Sequence, residues 1–368
     1  MDAVDFRLPL AGEAPSGRPG TRHRPAVTIY DVARVAGVAS STVSRAFARP
    51  GRVNADTAAR IRRVAAELGY RTNPVPQPPA TPQTRLLALL VSDITNPGYG
   101  QLIRAAQLAA AEAGYEIVLV DSLESGARER AALERLIPVV EGCVISGSRM
   151  SDSALRTIAK QRPTVVLNRA LLDVPSVVAD DVSGAHAVID LLRDLGHEAA
   201  TYVAGPEASW ADGVRFRALR DRDPGVVVTR LGPFPPTFEG GLVAARALAG
   251  KAPTAVIAYN DLIATGVIRG LRREGIAVPE QVSVVGFDDI LISRIMLPTL
   301  TTVAAPLRLM GTAAVRNLVA LINGASHRSL EPLVMPVQLK VRGSTAQRCR
   351  RTRASAAFLE RSPARSGR

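Results

Sequence analysis

The run T-I-Y-D-V-A-R-V-A-G-V-A-S-S-T-V-S-R at residues 28–45 leaves few folds open to this chain. Thr28 is placed to cap a helix, answered three residues on by Asp31, whose charge also suits the positive end of the helix dipole. Val32, Val35, Val38 and Val43 are spaced to pack two short helices against each other across Gly37, a residue free to take the left-handed turn conformation. The second helix then shows Ser40, Ser41, Ser44 and Arg45 to solvent. Small hydroxyls with one arginine suit a duplex groove, because hydroxyls bond phosphates or base edges while arginine forks onto guanine. A third helix follows, capped by Asn54, with Ala58, Ile61, Ala65 and Leu68 at helical spacing and Gly69 as its stop. The run reads as a helix-turn-helix, and on spacing alone the alternative is a generic three-helix bundle.

From residue 86 onward the pattern changes. Short apolar runs at 86–92, 116–121, 143–146, 164–168, 200–204, 255–259 and 282–287 alternate with helical stretches, four of which end in Gly114, Gly196, Gly250 and Gly275. Runs apolar on both faces imply buried parallel strands, and the alternation is that of an α/β fold. There are more strands than one compact sheet needs, so two doubly wound parallel sheets are expected. Ligands of such sheets bind beyond the carboxyl ends of the strands. There stand 93–99, Asn168, Arg169, Asn260, Asp261, Asp288 and Asp289.

The formal charge of +13 is unevenly placed: residues 1–85 carry +7, residues 341–368 carry +7, and the span between carries −1. A near-neutral body with basic ends fits a polyanion contact at one pole, although 43 Arg against three Lys also signals compositional bias. The segment 1–24 lacks a continuous apolar stretch and reads as disordered rather than as a secretory signal, so a cytoplasmic protein without a membrane span is expected. Cys143 and Cys349 are too few for a disulfide framework or a thiolate metal cluster, and two free thiols are expected. No GxGxxG, Walker loop, nucleophile elbow or metal-binding His/Cys spacing is visible, and the four histidines are scattered. An enzyme is disfavoured, and no cofactor is called for.

These motifs together resemble the lac repressor family (LacI/GalR). The headpiece signatures V-T-I-Y-D-V-A, A-G-V, T-V-S-R and L-G-Y-R-T-N occur in order within 27–73. The resemblance continues through about 85–345 with S-D-I-T-N-P, L-G-H, A-G-P, Tyr259-Asn260-Asp261, V-V-G-F-D-D, L-T-T-V and V-R-G-S-T. It implies an N-terminal all-α helix-turn-helix headpiece at 26–73 and a two-lobed α/β core, related to periplasmic binding proteins, at 85–345. A disordered extension at 1–25, a proline-rich linker at 74–84 and a basic disordered tail at 346–368 complete the expected organisation. The implied function is a sequence-specific transcriptional regulator, most simply a repressor, dimeric on a near-palindromic double-stranded operator and governed by a small polar, sugar-like effector. The competing reading is a cytoplasmic solute-binding protein without an operator.

DNA contacts are expected at Thr28, Ser40, Ser41, Thr42, Ser44, Arg45, Arg52, Asn54, Thr57 and Tyr70. For the effector, the resemblance places Arg215 at the family's ligand clamp, with Asn260 and Asp288 at its other two polar clamps. Carboxylate, guanidinium and amide suit a polyhydroxylated ligand. Asn96 and Arg169 add polar groups, while Tyr99 and Phe234 supply apolar walls.

Four departures from the family pattern stand out. Ala39 occupies the usual capping serine position, so either Ser40 takes over or the helix start costs about 1 kcal/mol. Ser40 and Ser41 occupy the pair that sets operator choice, and two short hydroxyls discriminate poorly. The linker holds Pro74, Pro76, Pro78, Pro79 and Pro82, which opposes the family's hinge helix and favours a polyproline spacer, although Pro79 stands where a minor-groove wedge is expected. Ala305 replaces a glutamine near the lobe crossover. No apolar heptad follows residue 345, so a homodimer rather than a coiled-coil tetramer is expected.

Overall fold

In the computed structural model the described residues are 27–48, 53–68, 70, 83–222, 225–251, 253–325 and 331–348. They belong to two compact units that divide between Pro82 and Gln83. The expectations placed on 1–25, Arg52, Gly69, most of the proline-rich segment and the chain beyond Arg348 lie outside the described residues.

The first unit contains α1 (Ile29–Ala36), α2 (Ser40–Ala48) and α3 (Ala55–Glu67). Val32, Ala33, Ala36, Val43, Ala46, Ala58, Ile61 and Ala65 form its interior. Gly37 takes the left-handed conformation at φ 64°, and the Gly37 and Val38 N–H groups close the end of α1 on the carbonyls of Arg34 and Ala33. Val38 packs at the edge of this interior. Val35 does not join it and is 55% exposed. At about 100° per residue, the face shared by Val32, Ala33 and Ala36 is centred roughly 110° from Val35. Alanines therefore fill two of the three buried positions of α1.

The second unit holds two sheets. In the N-terminal lobe the strand order is β11-β5-β4-β3-β1-β2, from β1 (Leu86–Val91), β2 (Glu116–Asp121), β3 (Gly142–Ser146), β4 (Thr164–Leu167), β5 (Ser176–Ala179) and β11 (Leu333–Met335). Every neighbouring pair is parallel. The C-terminal lobe has the order β12-β10-β9-β8-β6-β7, from β6 (Ala199–Val203), β7 (Val227–Leu231), β8 (Ala255–Ala258), β9 (Ser283–Phe287), β10 (Thr301–Ala304) and β12 (Gln338–Lys340). Its pairs are parallel except β12 on β10. The second sheet is thus mixed, because its last strand returns along the edge instead of crossing over a helix.

Each sheet is apolar on both faces, which is why runs such as β1 show no alternation. One face of the first sheet packs on α4 (Pro97–Glu112) and α12 (Leu307–Ile322) through Leu102, Ala106, Met310 and Leu318. Its other face packs on α5 (Gly126–Leu136) and α6 (Asp152–Gln161) through Leu133, Leu155 and Ile158. In the second lobe α7 (Asp181–Asp194) and α8 (Trp210–Asp221) cover one face, and α9 (Phe238–Ala249) and α10 (Asp261–Arg273) cover the other. The chain passes between lobes three times, at 180–181, 305–306 and 336–337, so β11 and β12 belong to different sheets.

Gly114, Gly196 and Gly275 end their helices at positive φ, as expected, whereas Gly250 ends α9 in the right-handed region at φ −73°. The core also runs past residue 345: the Ala346 N–H donates to Ser283 Oγ at 3.1 Å and the Arg348 N–H to the Leu195 carbonyl at 2.8 Å. Cys143 is a free thiol buried in β3, where burial pushes its pKa up to about 12. Among the described residues no helix is long and apolar enough to cross a membrane.

Candidate functional site

The first candidate surface is α2. Thr42 and Val43 N–H groups donate to the Ala39 carbonyl, so the helix starts on Ala39 and Ser40 already lies inside it. Ser40 therefore does not take over the cap. Val43 and Ala46 point inward, which turns Ser41, Ser44 and Arg45 to solvent, with Ser40 and Thr42 half-buried. Arg45 folds back along its own helix, its Nε donating to the Ser41 carbonyl at 3.2 Å and Nη2 to Ser41 Oγ at 3.3 Å.

Thr28 is exposed, and its N–H and hydroxyl both donate to Asp31 Oδ2, at 2.9 and 2.7 Å. These bonds, the backbone one first, hold the Asp31 pKa below the usual carboxylate value. Asn54 Oδ1 accepts from the Asp56 N–H at 2.9 Å and caps α3 as expected, and Thr57 lies half-buried in the first turn. Tyr70 packs its ring 6.0 Å from that of Phe47, so much of it is committed to the headpiece interior.

The second candidate is a cleft in the two-lobed unit, enclosing about 700 Å³ of empty space including its mouth. Every strand-end segment that lines it follows the carboxyl end of its strand, as doubly wound sheets require. From the N-terminal lobe come Ser92, Asn96, Tyr99, Glu124, Arg149 and Asn168; from the C-terminal lobe come Ser209, Trp210, Arg215, Tyr259, Asn260 and Asp288. Several sit in left-handed backbone that non-glycine residues seldom adopt: Glu124 at φ 59°, Asn168 at 57° and Asp288 at 115°. Such strain is held by surrounding structure and concentrates at functional sites.

Arg215 lies on α8 and is 8% exposed. Its Nε donates to Asp181 Oδ1 at 2.8 Å and its Nη1 to the Tyr259 carbonyl at 2.7 Å, while the Phe287 ring lies 4.3 Å below the guanidinium. Burial works against its charge, but Asp181 and then Asp288 outweigh that, and its pKa stands above the usual arginine value. Asp288 receives no hydrogen bond from the described residues. Burial drives its carboxyl up to about 7, with Arg215 pulling it down and Asp181 adding repulsion.

Neighbouring groups fix this carboxylate in place. Asp289, the next residue, accepts from Arg294 Nη2 at 2.7 Å and Arg342 Nη2 at 2.5 Å. Behind it Asp261 accepts from Ser293 Oγ, Thr302 Oγ1 and the Ile290 N–H. Burial and then repulsion from Asp288 nevertheless raise Asp261 to about 8.

The walls are aromatic. Tyr99 Oη pairs with Ser92 Oγ at 2.7 Å, and burial lifts its pKa above the ordinary value. Tyr259 Oη pairs with Ser209 Oγ at 3.0 Å. Two glycines let these rings in: a Cβ at Gly147 would stand 2.5 Å from the Tyr99 hydroxyl, and one at Gly205 would stand 2.5 Å from the Tyr259 ring.

Of the effector residues expected from sequence, Asn96, Tyr99, Arg215, Asn260 and Asp288 meet in the cleft. Asn96 and Asn260 double as helix caps, Asn96 Oδ1 accepting from Gly98 N–H and Asn260 Oδ1 from Ile263 N–H. Asn260 Nδ2 also donates to the Pro236 carbonyl at 3.0 Å, which leaves that amide less free than expected. Arg169 does not line the cleft: it donates to the Met150 carbonyl and to Asp152, tying the β3 exit to α6. Nor does Phe234, which packs on the apolar cluster beside α9 and α10 and leaves the wall to Pro236. Sequence reasoning missed Glu124, Arg149 and Trp210. Trp210 is the chain's only tryptophan and the first residue of α8, five before Arg215, in the segment that follows β6.

Residues 28–73 match the family model for bacterial regulatory proteins of the lacI family, and 189–345 match that for a periplasmic binding protein-like domain. The chain is 30% identical over 331 residues to the HTH-type transcriptional regulator DegA of Bacillus subtilis, covering 87% of this chain and 98% of that protein. It is 31% identical over 334 residues to the HTH-type transcriptional repressor CytR of Escherichia coli, covering 87% and 96%. Among solved structures, the regulator CelR in complex with cellobiose superposes with TM-score 0.63 at 29% identity, covering 87% of this chain and all of that one. The lac repressor dimer bound to operator and the anti-inducer ONPF gives TM-score 0.64 at 26% identity, covering 87% and 99%. The chain belongs to the lacI family of bacterial regulatory proteins and is a DNA-binding transcriptional regulator.

Proposed function

We propose that this regulator is a repressor that binds a near-palindromic operator as a homodimer in the cytoplasm, and that a small polyhydroxylated, sugar-like effector in the cleft sets its DNA affinity. The observation that carries the reading is the Asp288 carboxylate beside Arg215, which accepts no hydrogen bond from the described residues. A carboxylate without internal donors accepts two hydroxyl bonds, and the buried guanidinium beside it still has Nη2 to offer. Tyr99, Trp210 and Tyr259 supply flat faces for the C–H side of a sugar ring. The cellobiose held by the similar CelR structure supports a saccharide.

DNA contact is assigned to the exposed groups of α2, Ser41, Ser44 and Arg45, with Thr28 and Asn54 at helix starts. Effector contact is assigned to Arg215, Asp288, Asn96, Tyr99 and Asn260. Since one chain binds both partners, the coupling is reciprocal: whatever factor the effector changes operator affinity by, operator changes effector affinity by the same factor. The test is Asp288→Ala in the full chain. It should abolish the effector response while operator binding persists in a mobility-shift assay, and an unchanged response would remove the cleft from the mechanism. Sedimentation should give a dimer.

A further inference from the structure

The N-terminal wall of the cleft carries an ion pair that the clamp around Asp288 does not use. Arg149 Nε donates to Glu124 Oε2 at 2.6 Å, and the Arg149 side chain is only 6% exposed. Its two terminal amino groups have no hydrogen-bond partner among the described residues. Four N–H donors on a buried, charged side chain are thus left facing a cavity, an arrangement that costs free energy unless a ligand or water meets them.

The pair is held from both sides. Glu124 follows Leu123 in a tandem of left-handed residues, at φ 59° and 51°, and its N–H donates to the Ser92 carbonyl at 2.7 Å. On the other side Glu129, fully buried, accepts from the Arg149 N–H at 2.7 Å and from Ser148 Oγ at 2.5 Å, pinning the loop that follows β3. Strained backbone on one side and a buried carboxylate on the other set two opposite charges at the cleft wall. Arg149 shares the cleft wall with Tyr99 and Tyr259, one from each lobe.

The charge balance limits the ligand. Both cleft guanidinia already face carboxylates, Arg149 with Glu124 and Arg215 with Asp181, while Asp288 adds a further acid. A phosphate or carboxylate entering the cleft would find both cations neutralised and two acids, Glu124 and Asp288, turned towards it. A diol, by contrast, can accept from Arg149 Nη and donate to Glu124. We infer that Arg149 and Glu124 form a second polar clamp that reads a neutral hydroxylated unit of the effector and rejects phosphorylated and acidic sugars. This rests on the saccharide reading of the cleft given above.

The experiment titrates the full chain with neutral mono- and disaccharides, each beside its 6-phosphate and its uronic acid, followed by Trp210 emission and calorimetry. A neutral sugar should bind about 100-fold more tightly than its charged counterparts, since like-charge contacts cost several kcal/mol. Glu124→Gln, which keeps the shape and one accepting oxygen but removes the charge, should shrink that preference about tenfold, and Arg149→Lys should weaken the neutral sugar about tenfold. Tighter binding of a charged sugar than of its parent, or a preference untouched by Glu124→Gln, overturns the clamp but leaves the cleft as a saccharide site. Failure of every sugar, neutral or charged, to bind overturns both readings.

Discussion

Arg215 Nε and Asp181 Oδ1 are 2.8 Å apart, with both side chains at least nine-tenths buried. Asp181 opens α7 just after the first passage between lobes, while Arg215 comes from α8 within the C-terminal lobe. The pair therefore fixes a cleft-lining guanidinium at the place where the lobes join, so a ligand that gripped Arg215 would act on a crossover.

Removing one member of a buried pair leaves the other charge without compensation, at a cost of about 3–5 kcal/mol. Arg215→Ala should lower the thermal midpoint of the two-lobed unit and abolish effector binding. Arg215→Met combined with Asp181→Asn should recover much of the stability and none of the binding, read by calorimetry on both variants.

Asp288 should make effector binding dependent on pH. Its carboxyl stands near 7 in the fold against a usual value of 3.8, so the folded state holds its proton more tightly than the unfolded state. Its contribution to stability is then fully present below the usual value and declines as pH rises towards 7. A ligand that needs the carboxylate should bind about tenfold more tightly at pH 8 than at pH 6, where about a tenth of the group is ionised. Asp288→Asn should flatten the profile and let Asp261 titrate lower.

Arg45→Ala should cost about 1–3 kcal/mol of specific operator binding and leave sugar binding intact. Ala39→Ser supplies the missing capping hydroxyl and should stabilise the start of α2 by about 1 kcal/mol, visible as slower amide exchange in its first turn.

Trp210 should report on the cleft directly. Because it is the only tryptophan and lines the site, effector addition should shift its emission. Trp210→Phe should remove the signal while operator binding in a mobility-shift assay persists.

Periodicity and capping chemistry made the helix-turn-helix legible: Thr28, Asp31, Gly37 and Asn54 act through neighbours three or fewer residues away, and local rules hold there. Longer strands such as β1 were equally plain, because a sheet buried on both faces leaves an unbroken apolar run. The strands β5, β7, β10, β11 and β12 were not: β11 and β12 have only three residues each, β7 lies at an edge with most of its side chains exposed, and β5 and β10 open on hydroxyl residues that break the apolar run. Val35 was misplaced because helical spacing specifies a stripe but not how close the partner helix comes.

In the cleft, residues within recognisable strand-end motifs, Asp288 and Asn260 among them, could be named from sequence, and Arg215 from the family resemblance. Arg169 and Phe234 sit in equally suggestive positions, yet their side chains are committed to Met150, Asp152 and the apolar cluster beside α9 and α10. What the amino-acid order determined alone is the kind of element, its caps and the loops able to carry chemistry, because those follow from contacts within one turn or one strand. Only the tertiary structure decided which of those side chains stay free. Glu124, Arg149 and Trp210 reach the cleft through packing between segments far apart in sequence, and whether a polar group awaits a ligand depends on whether a distant partner has already claimed it.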